Sequence, residues 1–268
     1  MKFSIITATN NSEKTLSQNI SSVNTQSYND IEHIFIDNNS SDNTMQIIEK
    51  TSNRNARVIS RRDNGMYFAL NDGLKLASGE VIGILNSDDK YFDDGVIKEV
   101  YETLIKHDCD LVWGNVNIIE RDSSRIYRSY RANFNPIKGF EYGIMPPHPS
   151  IFIKKDLYAK LGNFNTAYEI ASDYDLILRF IRVHKSKSKY IDKCFVEMKT
   201  GGKSSVSLSS LIKLNLEIKR INKFHKVKYN LWRFLLKLII RFLERLKTNY
   251  LKILIINTFF KIRKEYYA

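Results

Sequence analysis

Arg62-Asp63-Asn64-Gly65-Met66-Tyr67 opens a helix-like run to Ala77. Ser78-Gly79-Glu80 follows, then an apolar strand, Val81-Ile82-Gly83-Ile84-Leu85, that stops at Asn86-Ser87-Asp88-Asp89. A buried strand ending in two adjacent carboxylates delivers them to the C-terminal edge of a sheet. Hard divalent cations take such oxygen ligands and keep substrate phosphates in their shell. The stretch therefore reads as a place for a metal-bound nucleotide diphosphate. A second reading stays open, because Asx clusters also end strands simply by making turns.

Working outward, the first ninety residues alternate strand and helix signals. Phe3–Thr7 is strand-like, and Asn11-Ser12-Glu13 can cap a helix to about Thr25. Ile31–Ile36 is a second strand ending at Asp37-Asn38-Asn39, and Asp42 is placed to cap a helix that runs to Ser52. Arg57–Ser60 is a third strand, Met66–Ala77 a helix and Val81–Leu85 a fourth strand. This rhythm predicts an α/β fold with a mostly parallel sheet and helices on both faces. Ligands of such sheets sit beyond the strand C-termini. Thr7, Asp37, Asp63 and Asp88 all fall there, which predicts one shared pocket.

The middle of the chain is less regular. Helices are expected at Gly95–Lys106, Lys155–Leu161 and Asp173–Lys185, the last with Leu176, Ile177, Phe180 and Ile181 on its apolar face. Strands are expected at Asp110–Gly114, Ile151–Ile153 and Tyr190–Met198, and a hairpin joins Val116–Glu120 to Arg125–Arg128. The one composition break falls at Gly201-Gly202-Lys203-Ser204-Ser205, which divides the chain into a domain of residues 1–205 and a basic helical tail of residues 206–268.

Composition narrows the function. Cys109 and Cys194 make neither a zinc spacing nor a disulfide framework, so a reducing cytosol fits. The N-terminus enters a strand at once, so no signal peptide is expected, and no uncharged apolar run is long enough to span a bilayer as a helix. The net charge of +13 is uneven: residues 203–268 hold 16 Lys and Arg against 3 Asp and Glu, whereas residues 1–202 hold 26 of each. A neutral body argues against a nucleic-acid groove, and a basic tail argues for an attachment device.

Five motifs in order carry a resemblance. Ser4-Ile5-Ile6-Thr7-Ala8-Thr9-Asn10, Asp37-x-x-Ser40-x-Asp42-x-Thr44, and Asp63-x-Gly65-x-Tyr67-x-Ala69-x-Asn71-x-Gly73 with Ala77-x-Gly79 resemble blocks of family 2 glycosyltransferases with the GT-A (Rossmann-like) fold. Asn86-Ser87-Asp88-Asp89 is similar to that family's metal motif, and Ala171-Ser172-Asp173-Tyr174-Asp175-Leu176 to its catalytic-base segment. The resemblance spans about residues 2–205, and its closest subgroup assembles bacterial capsule, O-antigen and exopolysaccharide. Three positions depart from the pattern: Asn86 replaces the first metal-motif Asp, Phe68 stands where Asp is common, and Ala8-Thr9 replaces Pro and an aromatic residue.

The resemblance implies an inverting, metal-dependent transfer of a sugar from a nucleotide diphosphate sugar, expected to be UDP-linked, to a lipid-linked glycan. Thr7, Ala8, Thr9, Asp37, Arg62, Asp63, Asn86 and Ser87 would contact the donor; Asp37 also reads as a helix cap, and Arg62 as a solvated charge. Asp88 would hold Mg2+ or Mn2+, with Asp89 supporting. His148, in the loop Gly143-Ile144-Met145-Pro146-Pro147-His148-Pro149, would approach the metal, the diphosphate or the acceptor, or serve only as a local hydrogen-bonder. Asp173 would be the general base, its other reading being a plain N-cap at a helix start. Asp175, two residues on, points away on a helix and reads as structural. Gly201-Gly202 reads as a phosphate lid or an inter-domain hinge.

In the tail, Arg233, Lys237, Arg241 and Arg245 recur every four residues among large apolar side chains from Tyr229 to Leu246, and Leu251–Ile262 repeats the chemistry. Such helices suit an anionic membrane surface, and a helical hairpin packed on the domain is the alternative. A cytoplasmic enzyme, peripheral at the inner face of the membrane and acting on a polyprenyl-diphosphate-linked acceptor, is the resulting expectation. Two other functions compete. A sugar-phosphate nucleotidyltransferase needs a glycine-rich phosphate loop, which Thr7–Ser12 lacks. A non-catalytic membrane-associated binding protein has no use for the ordered carboxylates.

Overall fold

The computed structural model describes residues 1–53, 55–120, 125–133, 135–200 and 208–229. In chain order the elements are β1 (Phe3–Thr9), α1 (Leu16–Asn24), β2 (Ile31–Asp37), α2 (Thr44–Thr51), β3 (Ala56–Ser60), α3 (Met66–Leu76), β4 (Val81–Ile84), β5 (Lys90–Tyr91), α4 (Val96–His107), β6 (Leu111–Ile119) and β7 (Ile126–Tyr130). Then come α5 (Pro136–Glu141), a 3-10 turn (His148–Ser150), β8 (Ile151–Lys154), α6 (Lys155–Leu161) and α7 (Ser172–Ile177), which runs on into wider π-type turns (Leu178–Val183), β9 (Ser188–Lys199) and α8 (Leu208–Phe224).

One sheet carries the order β3-β2-β1-β4-β8-β6-β9-β5, with β7 paired to β6. The first four strands are mutually parallel, as the βα alternation demands. Beyond β4 the sheet is mixed: β8 runs antiparallel to both β4 and β6, β9 is parallel to β6, and β5 is antiparallel to β9. The expected hairpin is present as β6 and β7; its turn, residues 121–124, lies outside the described residues, as do the Gly201–Ser205 break and the apolar basic segments beyond Tyr229. No described helix is long and apolar enough to cross a membrane.

Period-two alternation sends side chains to opposite faces of the sheet. Ile6 and Ala8 of β1, Ile34 and Ile36 of β2, and Ile82 and Ile84 of β4 face one layer, where α3, α7 and α8 supply Leu70, Leu74, Leu176, Ile177, Ile218 and Ile221. Phe3 and Ile5, Val81 and Leu85 face the other, against Val96, Ile97, Val100 and Leu104 of α4. Leu16, Ile20, Phe35 and Ile48 pack α1 and α2 together beside that layer. The expected apolar face Leu176, Ile177, Phe180 and Ile181 is buried. The first helix starts later than expected, at Leu16, and the Ser12 hydroxyl, the expected cap, is engaged by the Asn10 N–H at 3.3 Å and by Ser87 Oγ at 2.9 Å instead. Asp42 stands one residue before the N-cap of α2, Asn43, and accepts from the Thr44 N–H at 3.0 Å.

The N-terminal edge of the parallel strands is closed by a buried carboxylate. Glu32 accepts from Ser4 Oγ (2.5 Å), the Ser78 N–H (2.6 Å) and Ser78 Oγ (2.8 Å), and Lys2 Nζ lies 3.1 Å away. Gly79 is required here, since a Cβ would lie 2.7 Å from the Ser4 nitrogen and 2.8 Å from the Lys2 oxygen. Burial works against ionisation of Glu32, but the donors of Ser4, Ser78 and Lys2 outweigh it and hold the carboxyl at about 2. A depressed folded-state pKa stabilises the protein above the unfolded value and loses that effect as pH falls through the folded one. Glu32→Gln should therefore cost about 1–2 kcal/mol at pH 7. In urea unfolding, the gap between wild type and variant should shrink as pH falls from 4.5 toward 2; a gap constant over that range would contradict this account.

Candidate functional site

The C-terminal ends of the parallel strands lie side by side, in the register Thr9↔Asp37 and Asp37↔Ser60. Asp37 ties all three together. It accepts from Thr9 Oγ1 (2.9 Å), Ser60 Oγ (2.8 Å), and both the hydroxyl (2.5 Å) and N–H (2.9 Å) of Ser40. Burial opposes its charge, yet these donors hold its pKa below the ordinary carboxylate value. The Asp37 side chain has no exposed surface, and both its oxygens are engaged. Here Asp37 fastens the three strand ends to one another.

Thr7 is engaged in a similar way. It is fully buried, and its hydroxyl donates to the Leu85 carbonyl and meets His33 Nε2, each at 2.9 Å. His33 is held neutral by burial, its pKa pushed down to about 3. Thr9 is buried against Asp37, whereas Ala8 is half-buried. Thr7 and Thr9 thus join β1 to its neighbours, and Ala8 is the residue of the three with appreciable exposed surface.

After Leu85 the chain turns. Asn19 Nδ2 donates to the Asn86 (2.8 Å) and Asp89 (3.1 Å) carbonyls, and Ser12 and Ser87 hydroxyls meet at 2.9 Å. Asn86, Ser87 and Asp88 are half-buried, but Asp89 is buried and accepts from Asn86 Nδ2 at 2.8 Å. Burial and the adjacent Asp88 charge push the Asp89 pKa well up, against the lowering effect of Asn86. A carboxyl so placed lacks a counter-charge. Asp88 outermost with Asp89 behind it fits a hard cation that shares its shell with substrate phosphates. Among the described residues no group of three or more His, Cys, Asp and Glu gathers for a metal, so substrate oxygens would have to complete the shell.

On β2's other side, the Asp63 N–H donates to Asn38 Oδ1 at 3.0 Å, and Asp63 Oδ1 accepts from the Gly65 N–H at 2.9 Å. Gly65 has φ 130°, a backbone state that side chains resist, and from it α3 departs. Asp63, Arg62 and Arg61 line a cavity of about 450 Å³ together with Phe68, Asn71 and Asn163. Arg61 pairs with Asp72, leaving the exposed Arg62 beside the cavity.

The first turn of α3 carries the link to the second half of the site. Tyr67 OH donates to the Ile170 carbonyl (2.6 Å) and lies 3.2 Å from Asp173 Oδ1. Asp173 also accepts from the Tyr174 N–H at 2.8 Å. Burial raises the Asp173 pKa, against the lowering effects of His148, the Tyr174 N–H and Tyr67. His148 sits close enough to feel that charge, packs edge-on against Phe164 at 5.6 Å, and is driven toward neutrality by burial. Asp175 is structural as expected, buried between Arg179 Nε and His225 Nε2, each at 2.9 Å. Sequence reading gave Tyr67 no role, although its spacing from Asp63 and Gly65 marked it; the contact with Asp173, 106 residues away, was not legible.

The strand-end turn at Asp88 and Asp89 and the cavity beside the β3–α3 loop present polar groups, and Tyr67 ties the start of α3 to Asp173. Comparison with known proteins bears on which chemistry is used. The family model described as "Glycosyl transferase family 2" matches residues 4–170. A "PGL/p-HBAD biosynthesis glycosyltransferase" of Mycobacterium bovis (strain BCG / Pasteur 1173P2) is 30% identical over 186 residues, 66% of this chain and 68% of that protein. A crystal structure of S. aureus TarS 1-349 in complex with UDP superposes with a TM-score of 0.64 at 19% identity, covering 86% of this chain and 67% of the other. The mannosyltransferase PcManGT from Pyrobaculum calidifontis, in complex with GDP-Man and Mn2+, gives 0.57 at 16% identity, covering 79% and 60%. At such identities the likeness to the two solved structures is one of fold.

Asp37 and Asp88 should separate in a stability assay. Asp37→Ala strands the donors of Thr9, Ser40 and Ser60 and should cost about 3 kcal/mol, whereas Asp88→Ala, at a half-exposed turn, should stay within about 0.5 kcal/mol. Thermal denaturation of both variants measures the difference, and equal losses would remove the distinction between fastening and turn.

Proposed function

The chain belongs to glycosyl transferase family 2, and from that premise we propose that it is an inverting enzyme. In this reading it moves one sugar from a nucleotide diphosphate sugar, UDP-linked, to a lipid-linked surface glycan of the capsule, O-antigen or exopolysaccharide type. The observation that carries the reading is Asp173: an aspartate with a raised pKa, held by the Tyr174 N–H and beside Tyr67, whose helix starts from the loop next to the strand ends. The complex of TarS with UDP supports the donor class.

The acceptor hydroxyl oxygen forms a bond to the anomeric carbon as the bond from that carbon to the diphosphate breaks. The leaving nucleotide diphosphate takes the electron pair, and Asp173 takes the hydroxyl proton. One carboxylate opposite the leaving group suffices for a single displacement with inversion. Burial pushes His148 toward neutrality and the Asp173 charge works the other way, while the His148 charge favours ionised Asp173. Ala8, Asn86 and Ser87 would meet the donor at the strand ends, and Arg62 and Asp63 its base or ribose, with Thr7, Thr9 and Asp37 fixing those ends from behind. Asp88, backed by Asp89, would hold Mg2+ or Mn2+, which when bound supplies positive charge for the diphosphate; the Mn2+ of PcManGT supports this choice.

The basic, apolar segments beyond Tyr229 fit attachment to an anionic leaflet, which would bring the site to a polyprenyl-diphosphate acceptor. We take 1–205 as the catalytic unit and 206–268 as its extension, with the first part of that extension, α8, packed onto the unit through Leu211, Ile218 and Ile221.

A screen of UDP- and GDP-sugars with Mg2+ or Mn2+ and lipid-linked acceptors, read as nucleotide diphosphate release, identifies the reaction. Asp173→Asn should lower turnover by about 10²–10⁴-fold while keeping UDP affinity, and EDTA should stop turnover until the metal is restored. Full turnover in Asp173→Asn would remove the base assignment. Removal of residues 230–268, which spares the core-packed Val227 and Tyr229, should shift the protein from the membrane pellet to the supernatant with UDP binding intact. A truncated protein that still pellets would remove the attachment role.

A further inference from the structure

The helix α8 presents a basic face, yet its single acidic residue, Glu217, points inward and is 7% exposed. No lysine or arginine pairs with it among the described residues. It accepts three consecutive backbone N–H groups instead: Glu169 to Oε1 at 3.1 Å, then Ile170 and Ala171 to Oε2 at 3.0 and 2.9 Å. Those three residues lead directly into α7 and Asp173. The Ile170 peptide is thereby held on both sides, its N–H by Glu217 and, through the following carbonyl, by Tyr67 OH at 2.6 Å.

The same helix grips the residues after Asp173. Asn222, fully buried, meets Tyr174 OH at 2.8 Å through Oδ1 and donates to the Phe140 carbonyl at 2.9 Å, and His225 Nε2 lies 2.9 Å from Asp175 Oδ1. Glu217 and Asn222 belong to α8, and His225 follows directly after its last residue, Phe224. They hold residues 169–171, 174 and 175, and none of them bonds the Asp173 carboxylate, whose partners are Tyr67 OH and the Tyr174 N–H. Burying a carboxylate is costly without compensating donors; here the donors all come from the segment that carries Asp173.

We propose that Glu217 is a positioning residue for the transfer reaction: from α8 it clamps, against Tyr67 on the other side, the segment that aims Asp173 at the acceptor hydroxyl. This inference rests on the reading of Asp173 as the base. The carboxylate suits the task because its two oxygens accept a run of N–H groups with geometry and charge that an amide, with one acceptor and one donor end, does not offer. A small displacement of a reacting group is enough to slow a reaction strongly without changing ground-state binding.

The test is Glu217→Gln in the full chain, assayed by UDP release from the UDP-sugar accepted in the screen and by calorimetric binding of UDP with Mn2+. We expect kcat to fall about 10- to 100-fold while donor KM and UDP affinity stay within about twofold. In an Asp173→Asn background the same substitution should have no further effect, because the clamp acts only through that side chain. Unchanged kcat, a parallel loss of UDP binding, or an equal penalty in the Asp173→Asn background would each overturn the proposal. Wild-type turnover in Asp173→Asn alone would instead overturn the base reading on which it rests. If Glu217→Gln does not fold, Tyr67→Phe keeps the ring packed on Phe164 and opens the clamp from the other side. It should show the same kcat-specific loss together with an acid limb moved to higher pH, since Tyr67 favours the charged form of Asp173; an unaltered profile and kcat would overturn the clamp.

Discussion

A carboxylate removed from water must find donors or give up its charge, and this molecule is organised by that requirement. Glu32, Asp37 and Glu217 are buried and met by several donors each. Glu32 closes one end of the parallel strands, Asp37 closes the other, and Glu217 joins the last described helix to the segment before Asp173. Asp89 and Asp173 break the pattern. Their burial outruns their donors, and their pKa values rise. A saturated carboxylate is a structural fastening; an unsaturated one is waiting for a cation or a proton, which is where reactive chemistry is found.

The two unsaturated carboxylates belong to different parts of the chain, and α3 ties the second of them to the β3–α3 loop. It leaves the β3–α3 loop at Gly65, where positive φ permits the turn, and within two residues Tyr67 reaches Ile170 and Asp173. The family model ends at residue 170, just short of Asp173. The base segment and α8 therefore lie beyond the matched block, and their relation to it is carried by Tyr67 and Glu217. Membership of a glycosyltransferase family sets aside the nucleotidyltransferase and scaffold readings, and the geometry adds which side chains fasten the strand ends and the segment before Asp173.

Much of this was legible in the residues. Alternation along Phe3–Thr9 and Ile31–Asp37, the apolar face of α7 and the bond of Asp42 to the Thr44 N–H are local signals, since strand and helix periods and short-range hydrogen bonds need only neighbouring residues. The short strand Lys90–Tyr91 and the antiparallel insertion of β8 between β4 and β6 were not, because two-residue strands and long-range pairing leave no period to read. Asp37 shows the boundary within one side chain: its bonds to Ser40 span three residues, but those to Thr9 and Ser60 exist only once β1 and β3 flank β2.

The order of carboxylates, glycines and apolar strands was enough to indicate a parallel-stranded α/β fold and to nominate Asp88, since such signals are local, and the resemblance to family 2 glycosyltransferases nominated Asp173. Only folding decided that Thr7 and Asp37 turn inward, that His148 lies near Asp173, and that Tyr67 and Glu217 hold the base segment. These are contacts across 26 to 106 residues, and whether a polar group faces solvent or a partner depends on what the rest of the chain brings to it.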